Sequence, residues 1–331
     1  MAYTTIDDPS AFFQCKTYTG NGGTQAITFD GNSDMQPDYV WVKSRSLTKN
    51  HKTSDSVRGV TKAVQPNDID GEATDATGIT AFGSNGFTLG NSGDYNTNNA
   101  TQVSWNWKES ATAGFDIVSF TGNASARTIS HSLSAVPHMF LIKRLDQNSN
   151  WCVYHKGLNG ADHNVFQNNT SAIQTDTAIW NNTHPTNSVF SLGNNADANG
   201  DGAEHICFLF APIKGYSKFG SYTGNGNVDG TFIYTGFKPA YFYTKRFDSG
   251  NSGLIFDNKR LGYNEINNSL YANVSDAEET GTSNNDVDFL SNGIKIREDN
   301  NALNASGGTY IYSAYAEQPL VTSTGIPATA R

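Results

Sequence analysis

The chain contains 331 residues, of which 22 are basic and 31 acidic, giving a formal net charge of −9. This acidic balance, with no basic stripe interleaved with aromatic residues, argues against nucleic acid as a partner, and no apolar run approaches the ~20 residues that a membrane-spanning helix needs. Aromatic residues make up 12% and charged residues 16% of the chain, and the aromatic side chains supply the apolar area for a core in a β-rich protein.

The N-terminal arm, residues 1–12, has neither the basic segment nor the apolar segment of a secretory signal, so we expect no export by that route. Cys15, Cys152 and Cys207 form an odd set without metal-type spacing. This argues against a disulfide framework and favours a reducing compartment.

An internal repeat begins after the arm. An aromatic residue followed by Thr-Gly-Asn occurs at Tyr18–Asn21, Phe120–Asn123 and Tyr222–Asn225, with the glycines 102 residues apart both times. Such periodicity indicates one structural unit copied along the chain. We predict repeat 1 over 13–108, repeat 2 over 115–211 and repeat 3 over 219–317, followed by a C-terminal tail, 318–331.

In each repeat an apolar run follows a proline. These short runs are rich in β-branched and aromatic residues, which predicts strands, and they lack polar alternation, which predicts burial on both faces. We expect the proline to open the strand, where its missing N–H breaks no ladder bond. The runs are Tyr39–Val42 after Pro37, Met139–Ile142 after Pro137 and Tyr241–Tyr243 after Pro239.

Later in each repeat come a turn and a closing strand. Asn85-Gly86 and Asn292-Gly293 predict hairpins with a type I′ turn in repeats 1 and 3, while 186–190 is a looser counterpart in repeat 2. Trp41, Trp105 and Trp107 are matched by large apolar residues in the other repeats, so we expect them in the core. The closing strands are Val103–Trp107, Ile206–Phe210 and Ile311–Tyr315.

These patterns predict an all-β fold of three tandem antiparallel β-sandwich repeats, jelly-roll-like, packed together. The linkers at 108–114 and 212–218 are short, so we expect the repeats to form one rigid body. Three loosely strung units are the alternative.

A lysine recurs six positions after each of these prolines, at Lys43, Lys143 and Lys245. The last two are followed by Arg144 and Arg246. We interpret these basic pairs as structural, with their head groups bound to acids such as Asp55 or Asp257. An acidic or sulfate-rich glycan is the alternative partner.

A candidate metal site lies in the segment 197–202. Asp197, Asn199 and Asp201 place oxygen ligands at alternate positions, as in the first half of a calcium loop. The twelfth position is Phe208 instead of glutamate, and the equivalent segments of the other repeats do not keep the spacing. We therefore predict no bound metal and no other cofactor.

A candidate ligand site lies elsewhere in repeat 2. Trp151, Trp180 and Asn181 are in asparagine-rich surroundings where an aromatic face beside an amide suits a sugar ring. A lid over the sandwich edge, or a contact with a sister subunit, is the alternative role for the tryptophans. His155 is a further candidate, with a hydrogen-bonded histidine at the rim as its alternative. No catalytic motif accompanies them, and we predict that the protein is not an enzyme.

Several segments carry a resemblance to a known family. Tyr3–Ser10, Phe219–Gly226, Gly236–Ala240, Phe289–Gly293 and Gly308–Tyr312 resemble an uncharacterised family of bacteriophage virion proteins, common in phages of marine bacteria and cyanobacteria and described as tail-fibre-like. The similarity extends over most of the chain, from Ala2 to about Pro319. It supplies no catalytic residues to transfer.

The resemblance implies a structural protein on the exterior of a phage particle, assembled in the host cytoplasm. It favours a tail-fibre or tail-tip component that contacts the host surface without catalysis, through a surface glycan or an outer-membrane protein. A capsid or tail decoration protein with no host ligand is the alternative. Either role implies contacts with other virion proteins and with sister subunits, and by analogy we expect a homotrimer.

Overall fold

The computed structural model describes residues 4–281 and 285–319; Met1–Tyr3 of the predicted arm and residues 320–331 of the predicted tail lie outside them. The strands of repeat 1 are β1 (Phe13–Thr19), β2 (Gln25–Thr28), β3 (Tyr39–Ser44), β4 (Lys52–Asp55), β5 (Lys62–Ala63), β6 (Ala73–Thr74), β7 (Ile79–Gly83), β8 (Gly86–Leu89) and β9 (Thr101–Trp107).

The strands of repeat 2 are β10 (Phe115–Thr121), β11 (Arg127–Ser130), β12 (Met139–Arg144), β13 (Cys152–His155), β14 (His163–Phe166), β15 (Gln174–Thr175), β16 (Val189–Leu192) and β17 (Glu204–Phe210). Those of repeat 3 are β18 (Ser217–Thr223), β19 (Phe232–Tyr234), β20 (Phe237–Arg246), β21 (Gly253–Asp257), β22 (Leu270–Tyr271), β23 (Val287–Leu290), β24 (Gly293–Ile296) and β25 (Thr309–Pro319). Helical structure is limited, in the described residues, to α1 (Ala196–Asn199) and the 3₁₀ turns Pro9–Ala11 and Lys156–Leu158.

Each repeat folds into a larger and a smaller antiparallel sheet. The larger sheets have the strand orders β1-β9-β3-β4, β10-β17-β12-β13-β14-β15 and β18-β25-β20-β21-β22. The smaller sheets are β2-β8-β7, β11-β16 and β19-β24-β23, and β5 pairs with β6. The prediction of an all-β fold of antiparallel sheets packed together is confirmed, whereas its jelly-roll detail is not.

The larger sheets bury both of their faces. Side chains alternate across a strand, so Val40 and Val42 of β3 pack against the smaller sheet of repeat 1, while Tyr39 and Trp41 point to the opposite face. On that face all three repeats share one core, which we call the hub. Its large members include Trp41, Trp105, Trp107, Phe115, Leu141, Phe208, Phe210, Tyr241, Tyr243 and Tyr315.

Aromatic contacts across the hub join all three repeats. The rings of Tyr39 and Phe208 have centroids 4.3 Å apart, and those of Trp107 and Tyr241 meet edge to face at 5.9 Å. Aromatic pairs in such geometries contribute beyond the area that they bury. The core assignment of Trp41, Trp105 and Trp107 is confirmed, and the alternative of loosely strung units is wrong.

The recurring lysines explain how the repeats are held in register. Lys43, Lys143 and Lys245 have no exposed surface, and burial lowers the pKa of each to about 8. Each Nζ donates one hydrogen bond within its own repeat and one to a backbone carbonyl across a boundary between repeats, which we call a seam. The bonds across the seams run from Lys43 to Ser275 (3.2 Å), from Lys143 to Ile69 (2.7 Å) and from Lys245 to Asn169 (2.7 Å).

These bonds form a closed ring, because repeat 1 binds repeat 3, repeat 2 binds repeat 1, and repeat 3 binds repeat 2. Backbone hydrogen bonds repeat the same pattern at each seam. They run from the N–H of Glu278, Glu72 and Ile173 to the carbonyls of Arg45, Leu145 and Phe247, at 2.7 to 2.8 Å.

The expected pairing of the basic clusters with Asp55 or Asp257 is wrong. Asp55 binds Arg58 and Asp257 binds Arg260, each at 2.6 Å, because an arginine three residues further along the same turn reaches the carboxylate first. The lysines instead satisfy backbone carbonyls. Arg144 and Arg246 each bind an aspartate two residues away, at 2.7 and 2.8 Å. With the lysine head groups buried, these clusters offer no ammonium group to an acidic glycan.

The Thr-Gly-Asn motif is a turn fixed by a buried asparagine. Asn96 has no exposed surface; its Oδ1 accepts from the N–H of Asn21 at 2.8 Å, and its Nδ2 donates to the carbonyls of Gly23 and Gly90. A Cβ at Gly20 would lie 2.2 Å from a backbone oxygen, so only glycine allows this approach. Asn199 and Asn304 do the same in the other repeats.

Two local predictions differ from the structure. The hairpins form, but Gly83 pairs with Gly86 and Leu290 with Gly293, so Ser-Asn and not Asn-Gly occupies each two-residue turn. The glycine is needed one position later, because the carbonyl of the neighbouring strand passes where its Cβ would be. Pro239 lies inside β20 at a register shift, a bulge that tolerates its missing N–H.

A carboxyl pair lies where the linker between repeats 1 and 2 meets β10: Glu109 of the linker and Asp116 of β10. Glu109 accepts from the N–H of Ile117 at 3.3 Å, and its own N–H donates to Asp38 at 2.8 Å. Burial, followed by a hydrogen bond to the Asp116 side chain, raises the pKa of Glu109 from 4.5 to about 7. The folded protein therefore holds a proton here that the unfolded chain has released.

Replacing Lys245 by methionine should test the seam bonds. Lys245→Met leaves the carbonyls of Asn169 and Asn251 without their donor, so we expect the free energy of unfolding to fall by about 3 kcal/mol. Lys238→Met is the control, because its exposed ion pair with Glu317 contributes less than about 1 kcal/mol. Urea denaturation measures both, and equal losses would contradict the role of the seam bond.

The carboxyl pair should make stability depend on pH. Because the folded pKa of Glu109 is raised, its contribution is present below about 4.5 and is lost as the pH rises to about 7. Glu109→Gln keeps a side chain that can form these hydrogen bonds but that does not ionise. We expect this variant to melt at a higher temperature than the parent at about pH 8 and at a similar temperature near pH 4.5, measured by calorimetry. Asp201→Asn, at an exposed position, should leave the profile unchanged.

Candidate functional site

The structure places Trp151 and His155 inside the protein. Trp151 has no exposed surface; its ring joins the hub, and its Nε1 donates to the carbonyl of Gln65 in repeat 1 at 2.9 Å. His155 is 1% exposed and contacts the carbonyl of Tyr312 in repeat 3 through Nε2 at 3.1 Å. Neither ring is open to a ligand, so their assignment to a ligand site is corrected to a role in the seams.

His155 occupies a position at which the other repeats carry charge. Strand pairing makes it equivalent to Asp55 and Asp257, which bind buried arginines. In repeat 2 the Nδ1 of His155 accepts from the N–H of Gly157 at 3.0 Å, and Leu158 stands where the others have arginine. Burial lowers the pKa of His155 to about 3, so the imidazole is neutral where repeats 1 and 3 carry an aspartate and an arginine.

Trp180 is also buried, with no exposed surface. Its ring lies edge to face on Phe140 at 4.9 Å, and its Nε1 donates to the carbonyl of His163 at 3.0 Å. Stacking on a sugar needs an open ring face, which Trp180 lacks, so its assignment to a ligand site is also wrong. Asn181 beside it is exposed, in a left-handed conformation with φ of 51°.

A depression of about 380 Å³ lies near this segment, lined by Val136, Tyr154, Lys156, Asn159 and His184 together with two prolines. Tyr154 is 2% exposed and its hydroxyl contacts Nδ1 of His184 at 2.9 Å. The hydroxyl and the imidazole of the depression therefore already contact each other, beside the polar side chains of Lys156 and Asn159.

The candidate calcium segment is a helical turn. α1 covers Ala196–Asn199, so the ligand spacing of a loop does not apply. Asp197 accepts hydrogen bonds from Ser149 and Asn150, and the Asn199 amide serves its own turn motif. Asp201 is exposed. Within residues 4–281 and 285–319 no group of three or more His, Cys, Asp or Glu side chains is arranged to hold a metal ion.

Two exposed aromatic residues lie close together on β19 of repeat 3. Phe232 is 43% and Tyr234 51% exposed, while Ile233 between them is buried. Ile27 of β2 and Ile129 of β11 occupy the equivalent buried position in the smaller sheets. Their neighbours are small: Ala26 and Thr28 in repeat 1, Thr128 and Ser130 in repeat 2.

The two rings lie on one face of the sheet. Residues two apart in a strand point the same way, about 7 Å apart. The ring of Phe232 packs over Gly293 of β24, where a Cβ atom would lie only 2.8 Å from the ring atoms. Lys218 approaches the ring of Tyr234, with Nζ 5.1 Å from the centroid. We call Phe232, Tyr234 and Lys218 the aromatic patch.

Charged and polar groups border the aromatic patch. Lys295 is the cross-strand neighbour of Phe232, and its Nζ binds Asp229 at 2.7 Å. Arg297 binds Asp288 at 2.6 Å. Two apolar faces beside fixed lysine and aspartate groups are suited to the C–H face and the hydroxyls of a sugar.

The free edge of β19 is unsuited to pairing with a further strand. The carbonyl of Thr231 accepts from Ile296 of β24, and the N–H of Thr235 donates to Asn292 just before β24. By alternation the backbone groups of Phe232 and Tyr234 therefore face away from β24. Lys218 Nζ donates to the Tyr234 carbonyl at 2.6 Å. A lysine on a short edge disfavours pairing with another strand, which leaves the side-chain face as the surface for contact.

The aromatic patch is not among the predicted site residues, because the sequence prediction placed the ligand site at tryptophans in asparagine-rich surroundings of repeat 2. The signal was present as a break in the repeat: two aromatic residues stand where two other copies have alanine, threonine or serine. In a chain of copied units, shared residues serve the shared fold, and residues that depart from it are candidates for function.

Comparison with known proteins adds a family. No helix among the described residues is long and apolar enough to cross a bilayer. Among curated proteins, none matches the chain significantly. One family model matches residues 8–319, which is most of the chain, and the protein therefore belongs to the family described as a domain of unknown function (DUF7483).

Proposed function

We propose that the protein is a structural component of the exterior of a bacteriophage particle, most simply a tail-fibre or tail-tip protein that contacts the host surface without catalysis. The resemblance of several of its segments to phage virion proteins motivates the location. The aromatic patch on β19 carries the recognition part of the proposal, because it places two aromatic rings, each about half exposed, on one strand.

The fold supports this surface from below, because Ile233 of β19 is buried in the core of repeat 3. Seam bonds and aromatic contacts hold the three repeats as one body, so a ligand at the aromatic patch orders few additional groups on binding. Rigid presentation lowers the entropic cost of recognition. Several copies on one particle would then convert weak single contacts into firm attachment.

The proposed host ligand is a surface glycan. An outer-membrane protein is the alternative host partner. We also propose contacts with other virion proteins and a homotrimer of sister subunits. Each subunit would already contain a cyclic arrangement of three repeats. Light scattering on the purified protein measures the subunit number.

A capsid or tail decoration protein is the second candidate. Exposed side chains outside the aromatic patch favour it, since Val228 is 61% and Tyr263 68% exposed, and a contact with another virion protein would cover them. In this role the protein binds nothing on the host.

Gold-labelled antibody imaging of intact particles separates the two locations. Label on the tail, above all at its distal end, is expected for the proposed function. Label distributed over the capsid would overturn it in favour of decoration, and unlabelled particles would overturn both.

Removing the aromatic patch should remove recognition without unfolding the protein. Purified protein should block phage adsorption, and Phe232→Ala with Tyr234→Ala should weaken this block at least about tenfold, equal to about 1.4 kcal/mol. Both rings are half exposed, so the melting temperature should change little. Tyr263→Ala is the matched control, an exposed tyrosine of the same repeat. Equal blocking by all three proteins would contradict the assignment.

A further inference from the structure

A crevice of about 180 Å³ opens at the seam between repeats 1 and 3. Its inner wall reaches the hub at Phe13, Cys15 and Ala240. Its outer wall carries Asp30, Asn258 and Lys259, together with the polar residues Ser10, Gln14, Asn32, Glu317 and Gln318.

The crevice exists because this seam is built from smaller residues than the others. Strand pairing makes Cys15 equivalent to Ile117 and Phe219. Ala240, which accepts from the Cys15 thiol at 3.8 Å, stands where the other repeats have Asp38 and His138. At the other two seams the larger residues Ile117, Phe219, Asp38 and His138 occupy the corresponding positions.

Charges around the crevice are already balanced. Asp30 binds Lys16 at 3.1 Å and Lys259 at 3.3 Å, and Glu317 binds Lys238 at 2.6 Å. A charged ligand would find no uncompensated partner here. The lining therefore disfavours a free anion or cation.

Hydrogen-bonding groups of both kinds remain. The Asn258 amide oxygen is buried and accepts no hydrogen bond from the described residues, a state that costs about 1–3 kcal/mol. Lys259 and Gln318 supply donors, and Asp30 and Asn32 supply acceptors. A ligand bearing several hydroxyl groups can donate and accept at once, which suits such a mixed lining.

We propose that this crevice binds a neutral polyhydroxylated ligand of the size of one sugar unit. The site is separate from the aromatic patch and does not depend on the proposed function. The hydroxyls of the ligand contact Asn258, Lys259 and Asp30, and its ring lies over the inner wall that Cys15 and Ala240 form together.

Isothermal calorimetry and saturation-transfer NMR with glucose, galactose, mannose and N-acetylglucosamine test the proposal on the full chain. Saturable binding of at least one sugar is expected. Asn258→Ala should weaken it about tenfold, since about 1.4 kcal/mol corresponds to that factor. Cys15→Ile, which copies the residue of repeat 2 into this seam, should fill the crevice and abolish binding.

Lys156→Ala, at the position of repeat 2 equivalent to Asn258, is the control and should bind as the parent does. The proposal is overturned if no sugar binds saturably up to about 50 mM, well beyond millimolar affinity. It is also overturned if Asn258→Ala binds as the parent does, a result that stays informative even where Cys15→Ile fails to fold. The double variant of Phe232 and Tyr234 should retain crevice binding, so failure of one site is distinguishable from failure of the other.

Discussion

The fold depends on three ammonium groups that are buried at the seams between repeats. Taking a charge out of water costs several kcal/mol unless hydrogen bonds compensate for it. Lys43, Lys143 and Lys245 each find two backbone carbonyls, one of them across a seam. With a pKa of about 8 they remain mostly charged at neutral pH, so each bond is charge-assisted. Because the ring of contacts is closed, loosening one seam leaves polar groups unpaired in two repeats.

The three seams are not identical. Repeats 1 and 3 place an acid, an arginine and a glutamate together: Arg260 binds Asp257 at 2.6 Å and Glu278 at 3.1 Å, and Arg58 does the same with Asp55 and Glu72. Repeat 2 replaces this network by His155 and apolar neighbours. The buried charge network of repeats 1 and 3 and the neutral, hydrogen-bonded imidazole of repeat 2 occupy the same position in the fold. The fold therefore tolerates divergence inside a seam when each buried polar group keeps a partner.

Sequence patterns predicted the repeat, its proline-led and closing strands and the buried tryptophans near them, because these follow from periodicity and apolar runs. They did not predict the burial of Trp151 and Trp180. Both have polar neighbours in sequence, yet a polar neighbour can bind within the fold: the amide of Asn150, next to Trp151, donates to Asp197 at 3.2 Å. Asn199, a weak candidate ligand in the sequence, has a role that sequence patterns did not predict. Its amide satisfies a turn through contacts that are remote in sequence, and a local ligand spacing cannot reveal them.

Function is better sought where the copies disagree. A residue that recurs three times is explained by the architecture that recurs three times, as with Gly20 and Asn96. Phe232 and Tyr234 expose aromatic surface at positions where the other two repeats have small side chains. Aromatic surface exposed on a folded protein favours burial by a partner. Cys15 and Ala240 leave a space that the other seams fill. The same rigid hub that fixes the shared residues also fixes these exceptions, so that a change confined to one repeat creates a surface without disturbing the other two.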